Sequence, residues 1–353
     1  FLPTLNPTPS SHKLGNNLCV VRVLVTPLWA VIADRFQWGS QILQGASLAT
    51  ALIVGAIASG ALGMGALAVA MVLFAIARAP VAAVLDGLTV RSLEDRGADP
   101  RAYGRVRLWG SVSFLLCAGT AALLAQHVAW PMAPIAFAAA AFGLGFLVTL
   151  VLPRAGAVEP VRLWPAVREL SRRRGLLLIA VALPLHGLGL NAYDAWYAMH
   201  IESLGLGSTW TGVAVVVGVS VEIAVMAVGG GILRRLDPLL LVATSMGVGA
   251  LRWALTAVIT EPYLLTALQL LHGVVFAMFW IGVVEVFRRA VPSELRVSGQ
   301  SVVMVATYGV GPLLTSLVAA WLVDAHGTPA LFAVASGAAG VAALLTLGAR
   351  ARL

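Results

Sequence analysis

Residues 153–175 read PRAGAVEPVRLWPAVRELSRRRG. Arg154, Arg162, Arg168, Arg172, Arg173 and Arg174 stand there against only Glu159 and Glu169. Long, nearly uncharged apolar sequence lies on both sides. A basic, polar hinge between two hydrophobic halves reads as a cytoplasmic loop of a membrane protein, because Lys and Arg are retained on the cytoplasmic face. The hinge sets a division into a polar N-terminal segment (1–17), a first bundle (18–152), the linker itself (153–175) and a second bundle (176–349).

The composition supports lipid as the main solvent. The 353 residues are 60% hydrophobic and 11% charged, whereas a soluble domain carries about 25% charged residues. The net charge of +8 is spread over short loops, with no basic helix or aromatic-basic module. That pattern argues topology and excludes nucleic acid as a partner. Cys19 and Cys117 sit in apolar segments and read as buried thiols. No spacing suggests zinc or haem, so no metal or cofactor is expected. Residues 1–17 are rich in Pro, Ser and Asn and lack the apolar core of a signal peptide.

A span needs about 20 apolar residues. This rule places spans near 17–34, 41–62, 64–86, 108–126, 130–152, 176–200, 209–233, 238–259, 263–287, 299–323 and 329–349. Gly60, Gly63 and Gly65 mark a turn inside the long apolar run from 45 to 77, and Ala129-Trp130-Pro131 marks another joint. One alternating set of loops carries Asp34-Arg35, the basic 91–107 segment, the 153–175 hinge, Arg234-Arg235, Arg288-Arg289-Arg296 and the tail arginines. The other set carries no Arg, only His127, Glu202, Glu261, Asp324 and His326. This asymmetry sets the C-terminus in the cytoplasm and the chain in the cytoplasmic (inner) membrane.

The two halves repeat with an offset near two hundred residues. Asp34-Arg35 matches Arg234-Arg235, Asp86 matches Glu285, and Tyr103-Gly104-Arg105 matches Ser298-Gly299-Gln300. In this register the second half holds six spans and the first five. The counterpart of span 176–200 is missing before residue 17.

These residues carry a family resemblance. The run Tyr103-Gly104-Arg105-Val106-Arg107-Leu108-Trp109-Gly110-Ser111, with Asp86 upstream, resembles the major facilitator superfamily, in its lactose-permease-like branch that includes phenylpropionate permeases. Glu222, Arg234-Arg235, Arg252-Trp253, Gln269 and His272 extend the likeness, which covers roughly 18–349. The resemblance implies an all-α major facilitator fold of two pseudo-symmetric six-helix bundles, here with the first helix missing. It also implies a monomeric secondary transporter that works by alternating access. Two departures stand out: the absent first helix, and a signature after the second family helix reduced to Ala33-Asp34-Arg35.

Charge at mid-bilayer depth costs about 2.5–3.5 kcal/mol on insertion scales, so it marks function. Arg22, Arg78, Glu222 and Arg252 each lie roughly 16–21 Å from a cytoplasmic end at 1.5 Å per residue. Asp194 lies nearer the outer face. Arg22, Arg78 and Arg252 suit an anionic substrate, because the guanidinium fork pairs with carboxylate in two places. Glu222 or Asp194 suits proton carriage, with His272 and His186 as further candidates. The alternative for Glu222 and Arg252 is an interior ion pair that fixes two helices.

Asn191 with Asp194, and Tyr193 with Tyr197, share helix faces. With Trp196 they offer an aromatic substrate a stacking surface, or else form an interfacial aromatic belt. Asp34, Arg35, Asp86, Arg91, Arg105, Arg234, Arg235 and Glu285 sit at cytoplasmic helix ends. They suit ion-pair networks that close an inner gate, or plain topology charge. Pro27, Pro80, Pro184 and Pro312 are expected to bend their helices, with Gly309 and Gly311 adding freedom beside Pro312.

The expected function is proton-coupled symport of a small organic anion, an aromatic carboxylate first, with a sugar or nucleoside as the alternative cargo. From another class, the missing first helix suits a transport-inactive truncated scaffold or sensor. A membrane-embedded enzyme is disfavoured, because no nucleophile–base set or metal cluster lies in the spans.

Overall fold

The computed structural model describes residues 29, 38–81, 84–85, 88–89, 92–93, 96–97, 101–151, 168, 171–229, 235–290, 302–350 and 352. Among these there is helix and turn but no strand. The first four long helices are α1 (Gly39–Ala58), α2 (Met64–Arg78), α3 (Arg101–His127) and α4 (Ala133–Val151). There follow α5 (Arg174–Ser203), α6 (Ser208–Ala224), α7 (Pro238–Val258), α8 (Pro262–Ala267), α9 (Leu270–Ala290) and α10 (Gly311–Arg350). Eight described helices are long and apolar enough to cross a membrane, counting α8 with α9 as one, and α2 is a shorter apolar helix. The chain is an integral membrane protein. Large side chains such as Val151, Trp321 and Leu344 stand exposed on its helices, as lipid-facing positions do.

Local chemistry explains the helix ends. The turn expected among the glycines falls at Ser59–Gly63, where Gly60 takes φ +69°, a conformation open chiefly to glycine. Helix α2 is continuous to Arg78, and helical residues recur at 81 and 84–85 within the expected span, with the Val84 amide donating to the Pro80 carbonyl at 2.9 Å. Pro80 has no N–H to give the ladder, which interrupts the helix there although Ala79 itself keeps helical geometry. Asp237 caps α7 by accepting from the Leu239 amide at 2.9 Å, with Pro238 at the first helical position. Glu261 caps α8 from Leu264 at 2.7 Å in the same way, ahead of Pro262. Both use the preference for Pro where a backbone N–H has no partner to lose. Arg350 Nε donates to Asp237 at 2.7 Å and ties the end of α10 to the start of α7.

Residues 302–350 run as helix except at Gly327, whose φ of 76° breaks them into the two spans expected there. A π-helical turn at Ala306–Val310 precedes Gly311-Pro312, and another at Val225–Gly229 continues α6. Pro312 has no N–H for the helix ladder, which accounts for the irregular turn before it. Pro184 lies inside α5.

Backbone contacts group the chain into two units. The first holds α1, α2, α4 and most of α3; the second holds Gly104–Ser111 of α3 and helices α5 to α10. In the first unit α1 packs on α4 and α2. Gln44 donates to the Thr149 carbonyl at 3.1 Å, and Phe74 meets Phe142 edge-on at 6.4 Å.

In the second unit α5 packs along α10, α10 along α7, and α7 along α9. One core gathers Leu176, Ile179, Met246, Phe279 and Phe287; another gathers Leu188, Tyr197, Trp253, Leu331 and Phe332. Between them α5 crosses the start of α10 on bare backbone. A Cβ on Gly187 would lie 2.4 Å from the Thr307 carbonyl oxygen, and one on Gly311 would lie 2.7 Å from the Gly187 carbonyl carbon. Gly187→Ala should therefore force the helices apart and destabilise the second unit by about 1–3 kcal/mol. Thermal unfolding in detergent checks this against Gly212→Ala, where nothing lies within 4 Å of the added methyl. Equal melting temperatures for the two variants would show that the crossing opens freely.

Candidate functional site

The second unit holds a polar cluster inside apolar helices. Arg252 on α7 is 1% exposed. Its NH2 group donates to Oε1 of Gln269, at the turn between α8 and α9. Gln269 Nε2 in turn donates to the Tyr197 hydroxyl at 3.2 Å and to the Leu265 carbonyl at 3.0 Å. The guanidinium carbon lies 4.2 Å from the centre of the Tyr193 ring, an arrangement that attracts the cation to the ring face. Nε and NH1 of Arg252 are buried without a hydrogen-bond partner. A buried charge is costly unless compensated, and Asp194 and the Tyr193 ring supply only part of that compensation without bonding Nε or NH1. Such a group is retained where something else pairs with it.

Glu222 on α6 is also buried, and it accepts from the Ser111 hydroxyl at 2.7 Å. Its second oxygen lies 3.6 Å from Nε2 of His272 on α9. These helices touch closely: a Cβ on Gly273 would meet the Glu222 backbone nitrogen at 2.5 Å. Glu222 and Arg252 thus have separate partners, and the interior ion pair between them is not formed. The Tyr193 ring joins the two groups, 4.8 Å from Tyr197 and 5.4 Å from His272. Asp194, one residue on, is exposed and within electrostatic range of both Arg252 and Glu222.

The other expected site residues are placed as follows. Asn191 and Trp196 are half-buried on α5. Arg78, in the first unit, ends α2 with its guanidinium 5.3 Å above the Phe142 ring. His186 is fully buried against Trp253 and Phe279, and neither ring nitrogen has a hydrogen-bond partner. Of the gate set, Glu285 accepts from Arg289 at 2.6 Å one helical turn away, and Arg235 is exposed. Arg22, Asp34, Arg35, Asp86, Arg91 and Arg234 lie outside the described residues, as does the Arg105 side chain. Gln269, Tyr193 and Ser111 carry more of the site than the sequence marks. Gln269 and Ser111 enter the sequence reading only within the family likeness, and uncharged polar residues give little hydropathy signal.

A helical membrane protein with buried charge in its spans invites comparison with transporters, and the match is direct. The sequence pattern of the MFS_1 like family covers residues 17–334. The chain belongs to that family. This MFS_1-like protein is a membrane transporter of the major facilitator type and not an enzyme. It is 24% identical to the maltose permease of Geobacillus stearothermophilus over 94% of this chain and 84% of that one. It is 28% identical to the "probable 3-phenylpropionic acid transporter" of Escherichia coli (strain K12), over 49% of this chain and 46% of that one.

Among solved structures, the nucleoside transporter NupG superposes with a TM-score of 0.67 at 16% identity. That match covers 97% of this MFS_1-like chain and 90% of the NupG chain. An outward-facing bacterial homologue of the iron transporter ferroportin, soaked with iron, gives 0.69 at 18% identity, over 97% of this chain and 90% of that one. At such identity these structures establish the fold alone, which is the major facilitator fold expected from the sequence.

Proposed function

We propose that this transporter carries a small organic anion, an aromatic carboxylate first, by proton-coupled symport. The observation that carries the reading is the buried Arg252, with two guanidinium nitrogens unpaired and its face on Tyr193. A carboxylate could pair with an open guanidinium edge, accepting from NH1 or Nε together with the NH2 hydrogen that Gln269 leaves free, and an aromatic group on the same cargo would find Tyr193 beside it. Glu222, with His272 and Ser111 against its two oxygens, is the proton carrier, and Asp194 is its outer neighbour. The similarity to a phenylpropionic acid transporter over half the chain favours the same cargo class. The protein would sit in the cytoplasmic membrane with its C-terminus inside, and the basic helix ends would serve as the inner gate.

A sugar is the second reading, favoured by likeness to a maltose permease across 94% of the chain. Thermal unfolding in detergent separates the two. A ligand at 100 times its dissociation constant adds about 2.7 kcal/mol to a fold that alone binds it. A melting shift with 3-phenylpropionate, and none with its amide or with maltose, is the expected result. A shift with maltose alone would overturn the anion reading.

A further inference from the structure

Helix α9 carries rings one helical turn apart at His272, Phe276 and Trp280. Their centres are 6.0 and 6.2 Å apart. The ladder continues off the helix at both ends. Tyr193 adjoins His272 at 5.4 Å, beneath Arg252, and Tyr308 lies 5.8 Å from Trp280 with the two rings within 2° of parallel. All five rings are half-buried, whereas Gly273, Val275, Ala277 and Phe279 between them on α9 are buried.

This stripe does not face lipid. It shares its helix face with His272, which contacts the buried Glu222, and intramembrane charge faces the protein interior or a water-filled cavity. The exposed Leu270, two residues before His272, is turned about 200° around the helix. Two further features mark the far end. Trp280 Nε1 is buried without a hydrogen-bond partner, and Tyr308 lies in the π-helical turn Ala306–Val310, a backbone irregularity frequent at functional sites.

From His272 to Trp280 the stripe runs about 12 Å along the axis, which is more than one aromatic ring covers. We infer that the α9 ladder selects cargo length: it receives the ring system of a carboxylate held at Arg252 and favours two linked or fused rings over one. The inference rests on the anion reading of Arg252 for its starting point. An occupant that reaches the last rung would cover the Trp280 indole.

The test measures binding to the purified full chain by thermal shift and tryptophan fluorescence. The probes are 3-phenylpropionate, 3-(4-biphenyl)propionate and their amides. The two-ring acid should bind up to about tenfold tighter than the one-ring acid, the range that an added aromatic contact supplies. Trp280→Ala should erase that difference and leave 3-phenylpropionate within about twofold, whereas Trp280→Phe, which keeps a ring, should retain most of it. Equal binding of the two acids by the unaltered protein overturns the inference. So does a Trp280→Ala loss that falls equally on both, which marks a structural role. No binding of any probe overturns it as well. If the amides show the same length preference as the acids, the ladder stands and the Arg252 reading fails.

Discussion

Uphill uptake should disappear in Glu222→Gln, while exchange of labelled for unlabelled cargo across the membrane persists. Under the proposed symport, accumulation would require a proton to travel with the cargo on every inward turn, whereas exchange would require only that the loaded protein reorient. Glu222 can hold and release that proton because its two oxygens meet different neighbours, the Ser111 hydroxyl at 2.7 Å and the His272 ring nitrogen at 3.6 Å. The hydroxyl can donate to the carboxylate or accept from the acid. The imidazole beside it offers a ring nitrogen that can accept or donate in turn. Gln keeps the size of Glu and can still bond Ser111, so a folding defect is not expected. The measurement is the steady-state ratio of labelled cargo inside to outside in vesicles with an imposed proton gradient. It should fall to one. A ratio that stays high would remove Glu222 from the proton path and turn attention to Asp194.

Why the sequence reveals some of this site and not the rest follows from how each residue stands out against its surroundings. Glu222 and Arg252 are legible because a charge in an apolar run is expensive and so anomalous. The helix ends are legible where a special residue enforces them, as at Gly60, Gly327 and the Asp237-Pro238 cap. Partners are not legible. Helical spacing fixes which residues share a face of one helix, but the meeting of α7 with the α8–α9 turn depends on packing between helices. Thus Arg252 finds Gln269 and Tyr193, and Glu222 finds His272, where a direct pair between the two charges was an open alternative.

The α9 ladder is hidden for a different reason. Phe276 and Trp280 are as apolar as their neighbours, and only the crossing of Tyr193 and Tyr308 onto that face shows the stripe to be continuous. His186 is the reverse case. A histidine in a span looks like a proton site, yet the fold seals it among Trp253 and Phe279.

Arg252→Lys should weaken binding of aromatic carboxylates by roughly 10- to 100-fold and leave their amides nearly unaffected. The range follows from the strength of hydrogen bonds to charged groups, about 1.5–3 kcal/mol, at 1.4 kcal/mol per tenfold. Lysine keeps the positive charge but not the planar fork. One ammonium must then choose between Gln269 and the cargo, whereas the guanidinium uses NH2 for Gln269 and keeps Nε and NH1 free. The stacking on Tyr193 would also weaken, because a compact, strongly hydrated ammonium lies less readily over a ring than a planar guanidinium does. A substitution that merely loosened the fold would lower the ligand-free melting temperature and impair acids and amides together. Titrating both against the two proteins, with the ligand-free melting temperature as the reference, tells a grip on the anion from a strut between α7 and the α8–α9 turn. Equal loss for acid and amide would assign Arg252 to the strut, and the unpaired nitrogens would then be a standing cost of the fold rather than a binding site.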